Sequence, residues 1–81
     1  MIALTLYTRP GCHLCDDMKA AIARAARDTP FTLEEVDIST DPALEAAYGL
    51  EIPVLLVDGK KAAKFRVTEA ELARILAGRA G

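Results

Sequence analysis

Tryptophan is absent from this 81-residue chain, histidine occurs once, and two cysteines, two tyrosines and two phenylalanines complete the short supply of side chains with distinctive chemistry. Two cysteines cannot build a framework of staples, so the hydrophobic 52% of the sequence must carry the fold, as one domain over residues 1–81. A bias of charge is also missing. Ten basic and twelve acidic residues give a net charge of −2 and are mixed along the chain, which leaves no nucleic-acid footprint and no polybasic membrane anchor. No apolar run nears the roughly 18 residues of a membrane span. The apolar opening Met1–Tyr7 lacks a basic flank and is too short for a signal peptide. These absences point away from nucleic acid and membrane and toward a reducing cytoplasm, where a close cysteine pair is catalytic or metal-binding more often than a structural bridge.

The apolar residues are arranged in alternating strand and helix signals. Ile2–Tyr7 is β-prone and stops at Thr8-Arg9-Pro10-Gly11, where Pro fixes φ and Gly permits a sharp bend. From Cys12 to about Arg27, Leu14, Met18, Ala21, Ile22 and Ala25 recur at helical spacing, with Asp16, Asp17, Arg24 and Arg27 on the other side. Phe31–Ile38 reads as a second strand whose alternation breaks at Glu34-Glu35. Asp41-Pro42 starts a short helix through Leu44–Tyr48 that Gly49 ends. Val54–Val57 and Lys60–Arg66 form a hairpin around Asp58-Gly59, and Thr68 with Glu71 is a capping box for a last helix ending near Gly78. The order βαβαββα implies a four-stranded mixed sheet with helices on both faces, an α/β fold of thioredoxin type.

Cys12-His13-Leu14-Cys15 falls where the loop after the first strand becomes a helix, and that placement says more than the spacing does. A helix N-terminus offers unpaired N–H groups and partial positive charge, both of which favour a thiolate over a thiol. At about 100° per residue Cys15 lies at the edge of the apolar face and Cys12 nearer the polar side, so Cys12 is the accessible attacker and Cys15 the shielded resolver. His13 should point away from the apolar face, either helping to stabilise a Cys12 thiolate or standing as a solvated surface histidine.

The run Leu6-Tyr7-Thr8-Arg9-Pro10-Gly11-Cys12-His13-Leu14-Cys15, with Ile52-Pro53-Val54 ahead of a hairpin, resembles the glutaredoxin-like family of small bacterial proteins. The resemblance covers nearly the whole chain. It implies a cis-proline at Pro53 facing the cysteine pair, and an Ile52 backbone that pairs with the substrate backbone beside its sulfur. It places Arg9 where glutaredoxins use a lysine to hold a glutathione carboxylate, the alternative being a solvated loop arginine. The chain departs from glutaredoxins before the last helix: Ala63–Glu69 has no glycine where they carry a Gly-Gly pair that grips glutathione.

The expectation is therefore a thiol–disulfide oxidoreductase with no bound cofactor. It would act as a monomer on disulfide-containing proteins, with glutathione as a potential co-substrate and glutathione or a thioredoxin-type reductase to recharge it. Two other readings stay open: a metal or iron–sulfur binding module, for which two cysteines and a divergent His13 are a poor donor set, and a redox-inactive binding domain that uses the pair only as a staple. So short a loop would contribute about 2 kcal/mol to stability, a weak reason for two cysteines. Tyr7 and Tyr48 read as packing residues, and Lys60, Lys61 and Lys64 as protection for an edge strand.

Overall fold

The first strand, β1 (Ile2–Thr8), is the axis of the structure, a computed structural model that describes residues 2–25 and 30–80. Its even-numbered side chains, Ile2, Leu4, Leu6 and Thr8, are buried, while Thr5 and Tyr7 on the other face are half-buried. This alternation lets one strand serve two layers. Helix α1 (His13–Ala25) follows; its expected continuation to Arg27 lies outside the described residues. Strand β2 (Phe31–Asp37) runs parallel to β1 in the register Ile2↔Phe31 to Thr8↔Asp37.

A single 3-10 turn at Ile38–Thr40, which the sequence reading did not anticipate, follows β2 because Asp37 accepts from both the N–H (2.9 Å) and the hydroxyl (2.6 Å) of Ser39. Asp41 then caps helix α2 (Pro42–Tyr48), accepting from the N–H groups of Ala43 and Leu44, with Pro42 in the first turn. Strands β3 (Val54–Val57) and β4 (Lys60–Lys64) form the hairpin, and helix α3 (Glu69–Ala80) closes the order. The turn residues Asp58 and Gly59 both have positive φ, 50° and 85°, as an Asp-Gly hairpin turn requires.

The sheet order is β2-β1-β3-β4, with β1 and β2 parallel and the two remaining pairings antiparallel. Met18, Ile22 and Ala25 of α1 and Leu72 and Leu76 of α3 meet Ile2, Leu4, Leu6, Leu55 and Val57 of the sheet in one core. On the opposite face α2 is held by the Tyr48 ring, stacked on Tyr7 at 4.6 Å between centroids. Helices thus cover both faces, and the two tyrosines are packing residues.

Two strands depart from simple alternating hairpin and ladder geometry. β4 stops at Lys64 instead of Arg66 because Phe65 turns into the left-handed region at φ 67° and its N–H goes back to the Pro53 carbonyl at 2.9 Å. In the same strand Ala62 has no partner across the ladder, since Leu55 faces Ala63 and Leu56 faces Lys61, so the edge strand carries a bulge as well as its lysines. In β2, Leu33 remains 41% exposed and Val36 turns to the α2 face, which accounts for the broken alternation at Glu34-Glu35.

Candidate active site

At the C-terminal end of β1 the chain leaves the sheet, bends at Gly11 (φ 79°) and enters α1 with Cys12 as the capping residue. Cys12 is not itself helical, which is the one-residue difference from the expected helix start. Its N–H donates to the Arg9 carbonyl at 3.3 Å, and its carbonyl accepts from Asp16 at 3.3 Å. Its sulfur accepts the N–H of Cys15 at 3.1 Å, the contact a Ser or Asp oxygen makes at an ordinary N-cap. Sulfur therefore takes one of the free donors of the helix terminus.

The two cysteines are both free thiols with different surroundings: Cys12 is half-buried and Cys15 only 2% exposed, among Met18, Ala21 and Ile22 on the inner face of α1. Burial pushes the Cys15 thiol up to about 11. A hydrogen bond with the Cys12 side chain and the charges of Cys12 and Asp16 act in the same direction, while a backbone hydrogen bond from Arg9 opposes them. Cys15 is thus kept as a thiol while Cys12 meets solvent, the division expected of resolver and attacker.

Both sulfur-bearing residues line an open cleft of about 260 Å³, bounded by the Thr8–Gly11 loop, Asp16 and Lys19 of α1, and Glu35 and Asp37 of β2. Lys19 bridges Asp16 (3.6 Å) and Glu35 (3.4 Å), and the Glu35 charge raises its pKa. The Asp37 carboxyl is held below the usual carboxylate range by its two bonds from Ser39. On the other side of Leu14, a second cleft of about 270 Å³ runs between Asp17 and Met18 of α1 and the segment Phe65–Thr68.

His13 is exposed at the first position of α1. Ile52-Pro53 is a cis peptide, with Pro53 fully buried and Ile52 half-buried. The pairing of Tyr7 with Val54 brings this peptide to the same end of the sheet as the cysteine loop, although 38 residues separate Cys15 from Pro53 in sequence. The Arg9 guanidinium is paired with Glu45 of α2, so a ligand carboxylate would have to compete with that partner. Sequence reasoning missed Glu45, which lies 36 residues from Arg9 and carries no motif.

Residues 3–77 match the glutaredoxin-like domain family. The chain belongs to that family. A glutaredoxin-like protein of Dictyostelium discoideum is 35% identical over 77 residues, covering 88% of this chain and 71% of the relative. Among solved structures, a protein from X. campestris superimposes with a TM-score of 0.78 at 40% identity, over 93% of this chain and 96% of its own. A thioredoxin from Halobacterium salinarum, at 22% identity and a TM-score of 0.66 over 95% of this chain and 73% of its own, shows the shared thioredoxin-like fold. Within this glutaredoxin-like chain, Cys12 and Cys15 match the family's cysteine motif. No helix is long and apolar enough to cross a membrane among the described residues.

Proposed function

We propose that this glutaredoxin-like protein exchanges disulfides with protein substrates or glutathione mixed disulfides, with Cys12 as nucleophile and Cys15 as resolving thiol. The observation that carries the reading is the 3.1 Å bond from the Cys15 N–H to the Cys12 sulfur, which joins a solvent-reached sulfur at a helix terminus to a buried thiol one turn on. The Cys12 thiolate attacks one sulfur of a substrate disulfide; that S–S bond breaks, the other substrate sulfur leaves as a thiolate, and Cys12 is joined to substrate in a mixed disulfide. Cys15 loses its proton to solvent and attacks the Cys12 sulfur, freeing the second substrate thiol. The Cys12–Cys15 disulfide that remains holds the two-electron oxidation of the pair.

No bound cofactor takes part. The dithiol is regenerated by glutathione or by a thioredoxin-type reductase, which fits work in a reducing cytoplasm. The family resemblance implies Arg9, His13, Ile52 and Pro53 as the residues that contact substrate. The test is equilibration in glutathione redox buffers followed by thiol counting in the intact chain, in Cys15→Ser and in Cys12→Ser. A reversible two-electron couple in the intact chain, with a mixed disulfide trapped on Cys12 in Cys15→Ser and none in Cys12→Ser, is the expected result. Absence of a couple, or equal adducts on either cysteine, overturns the exchange mechanism.

A further inference from the structure

The backbone of Arg9 bears on both cysteines: its carbonyl accepts the Cys12 N–H at 3.3 Å, and its backbone hydrogen bonding works against the rise that burial imposes on the Cys15 thiol. The side chain of the same residue reaches the other way, to Glu45 on α2. Gly49 makes room for this pair. A Cβ built there would lie 2.5 Å from the Glu45 carbonyl, 2.7 Å from its Oε1 and 3.2 Å from Arg9 Nη2, so any larger residue crowds both the α2 backbone and the ion pair. The φ of Gly49 is −55°, which every residue adopts, so space and not backbone conformation is what favours glycine at this position.

We infer that Arg9 is a positioning residue, clamped by Glu45 over Gly49 so that its own peptide groups hold the two cysteines in register for the step in which Cys15 attacks Cys12. This inference rests on the exchange reading and adds to it a control point on α2, the helix across the sheet from α1. It also gives the Arg9 guanidinium a partner within the chain in place of a glutathione carboxylate. Pro10 and Gly11 are exposed, and Arg9 and Glu45, each about 40% exposed, tie the cysteine loop to α2 by an ion pair beside the Tyr7–Tyr48 stack.

Releasing the clamp loosens the Arg9 amide from the Cys15 sulfur while the wall of Met18, Ala21 and Ile22 keeps that sulfur out of water. The ionisable groups that face Cys15 across the cleft are Cys12, Asp16 and Lys19 on α1, Glu35 and Asp37 on β2, and Arg9 itself; Glu45→Gln leaves all of these in place. The thiolate form of Cys15 should become harder to reach by about half a pH unit, which lowers its fraction at fixed pH roughly three-fold; the more basic sulfur recovers a little under two-fold, so the resolving step slows about two-fold.

Two measurements test this. In a Cys12→Ser background, which needs no exchange activity, thiolate absorbance of Cys15 is titrated with and without Glu45→Gln, and an upward shift of about half a unit is expected. In the otherwise intact chain, release of substrate from the preformed Cys12 mixed disulfide is timed for Glu45→Gln, Arg9→Gln, Gly49→Ala and the Arg9/Glu45 double variant. Each single change should slow release about two-fold, the double variant should be no slower than either single one, and Arg9→Lys should recover part of the rate. An unmoved or downward titration overturns the inference, as does a double variant whose losses multiply. If the titration moves as expected while no mixed disulfide ever forms, the clamp stands and the exchange reading falls.

Discussion

Reduced Cys15 should resist alkylation far more than its exposure in the unfolded chain would allow, and the size of the effect follows from its surroundings. With the thiol pushed up to about 11, roughly 0.1% is thiolate at pH 8. An ordinary thiol near 8.5 is about 24% ionised at that pH, so ionisation alone slows the folded protein roughly 240-fold relative to the denatured chain. The more basic sulfur recovers about 13-fold at a Brønsted slope of 0.45, which leaves a net retardation of about 20-fold before any steric term. Only 2% of Cys15 is exposed, so steric hindrance adds to that figure and cannot reduce it. The assay is pulse alkylation of the reduced chain with iodoacetamide, stopped at low occupancy, with the label on each cysteine quantified by fragment mass spectrometry in native buffer and in urea. Native labelling of Cys15 should climb about ten-fold per pH unit from pH 8 to 10. A folded rate within three-fold of the denatured one, or a plateau below pH 9, would refute both the burial argument and the division of labour drawn from it.

The same shift has a consequence for stability. Because the folded state keeps the Cys15 proton above the ordinary thiol range, stability is full below about pH 8.5 and falls as pH rises toward 11; the ceiling is about 3 kcal/mol, and urea unfolding of the reduced chain should show a loss that Cys15→Ser lacks. At the start of α3, Thr68 accepts the Glu71 N–H at 3.0 Å and donates to its carboxylate at 3.0 Å, so Thr68→Ala should cost about 1 kcal/mol in urea titrations, and a loss below about 0.3 kcal/mol would mean that solvent caps the helix equally well.

What could be read from the sequence was whatever is encoded within a few residues. The Asp41-Pro42 and Thr68/Glu71 caps, the Asp58-Gly59 turn and the apolar spacing of Met18, Ala21, Ile22 and Ala25 each carry their own local geometry, and each stands where its residues place it. The placement of Cys12 at a helix entrance was legible for the same reason. Features made by contacts across the chain were not. Glu45 carries no mark that it meets Arg9, and Phe65 gives no sign of a left-handed turn, since an aromatic residue is an unfavourable occupant of that region and is held there by its bond to Pro53. Nothing in Lys60–Arg66 shows the bulge at Ala62, which depends on the register with Leu55 and Leu56.

The asymmetry between the cysteines also gives the proposed reaction an order. Of the influences that hold the proton on Cys15, burial is the largest, but a hydrogen bond with the Cys12 side chain and the charge of Cys12 follow. Both of the latter depend on Cys12 being a free sulfur that can be negative. Once Cys12 is tied into a mixed disulfide its charge is gone, while the opposing backbone bond from Arg9 remains, so Cys15 ionises more readily in the adduct than in the free dithiol. The resolver is restrained while the attacker is free and released when the attacker is engaged. Cys12→Ser should therefore titrate Cys15 below the position it holds in the reduced wild-type chain, and an identical or higher midpoint in the variant would leave burial as the sole restraint and remove this ordering.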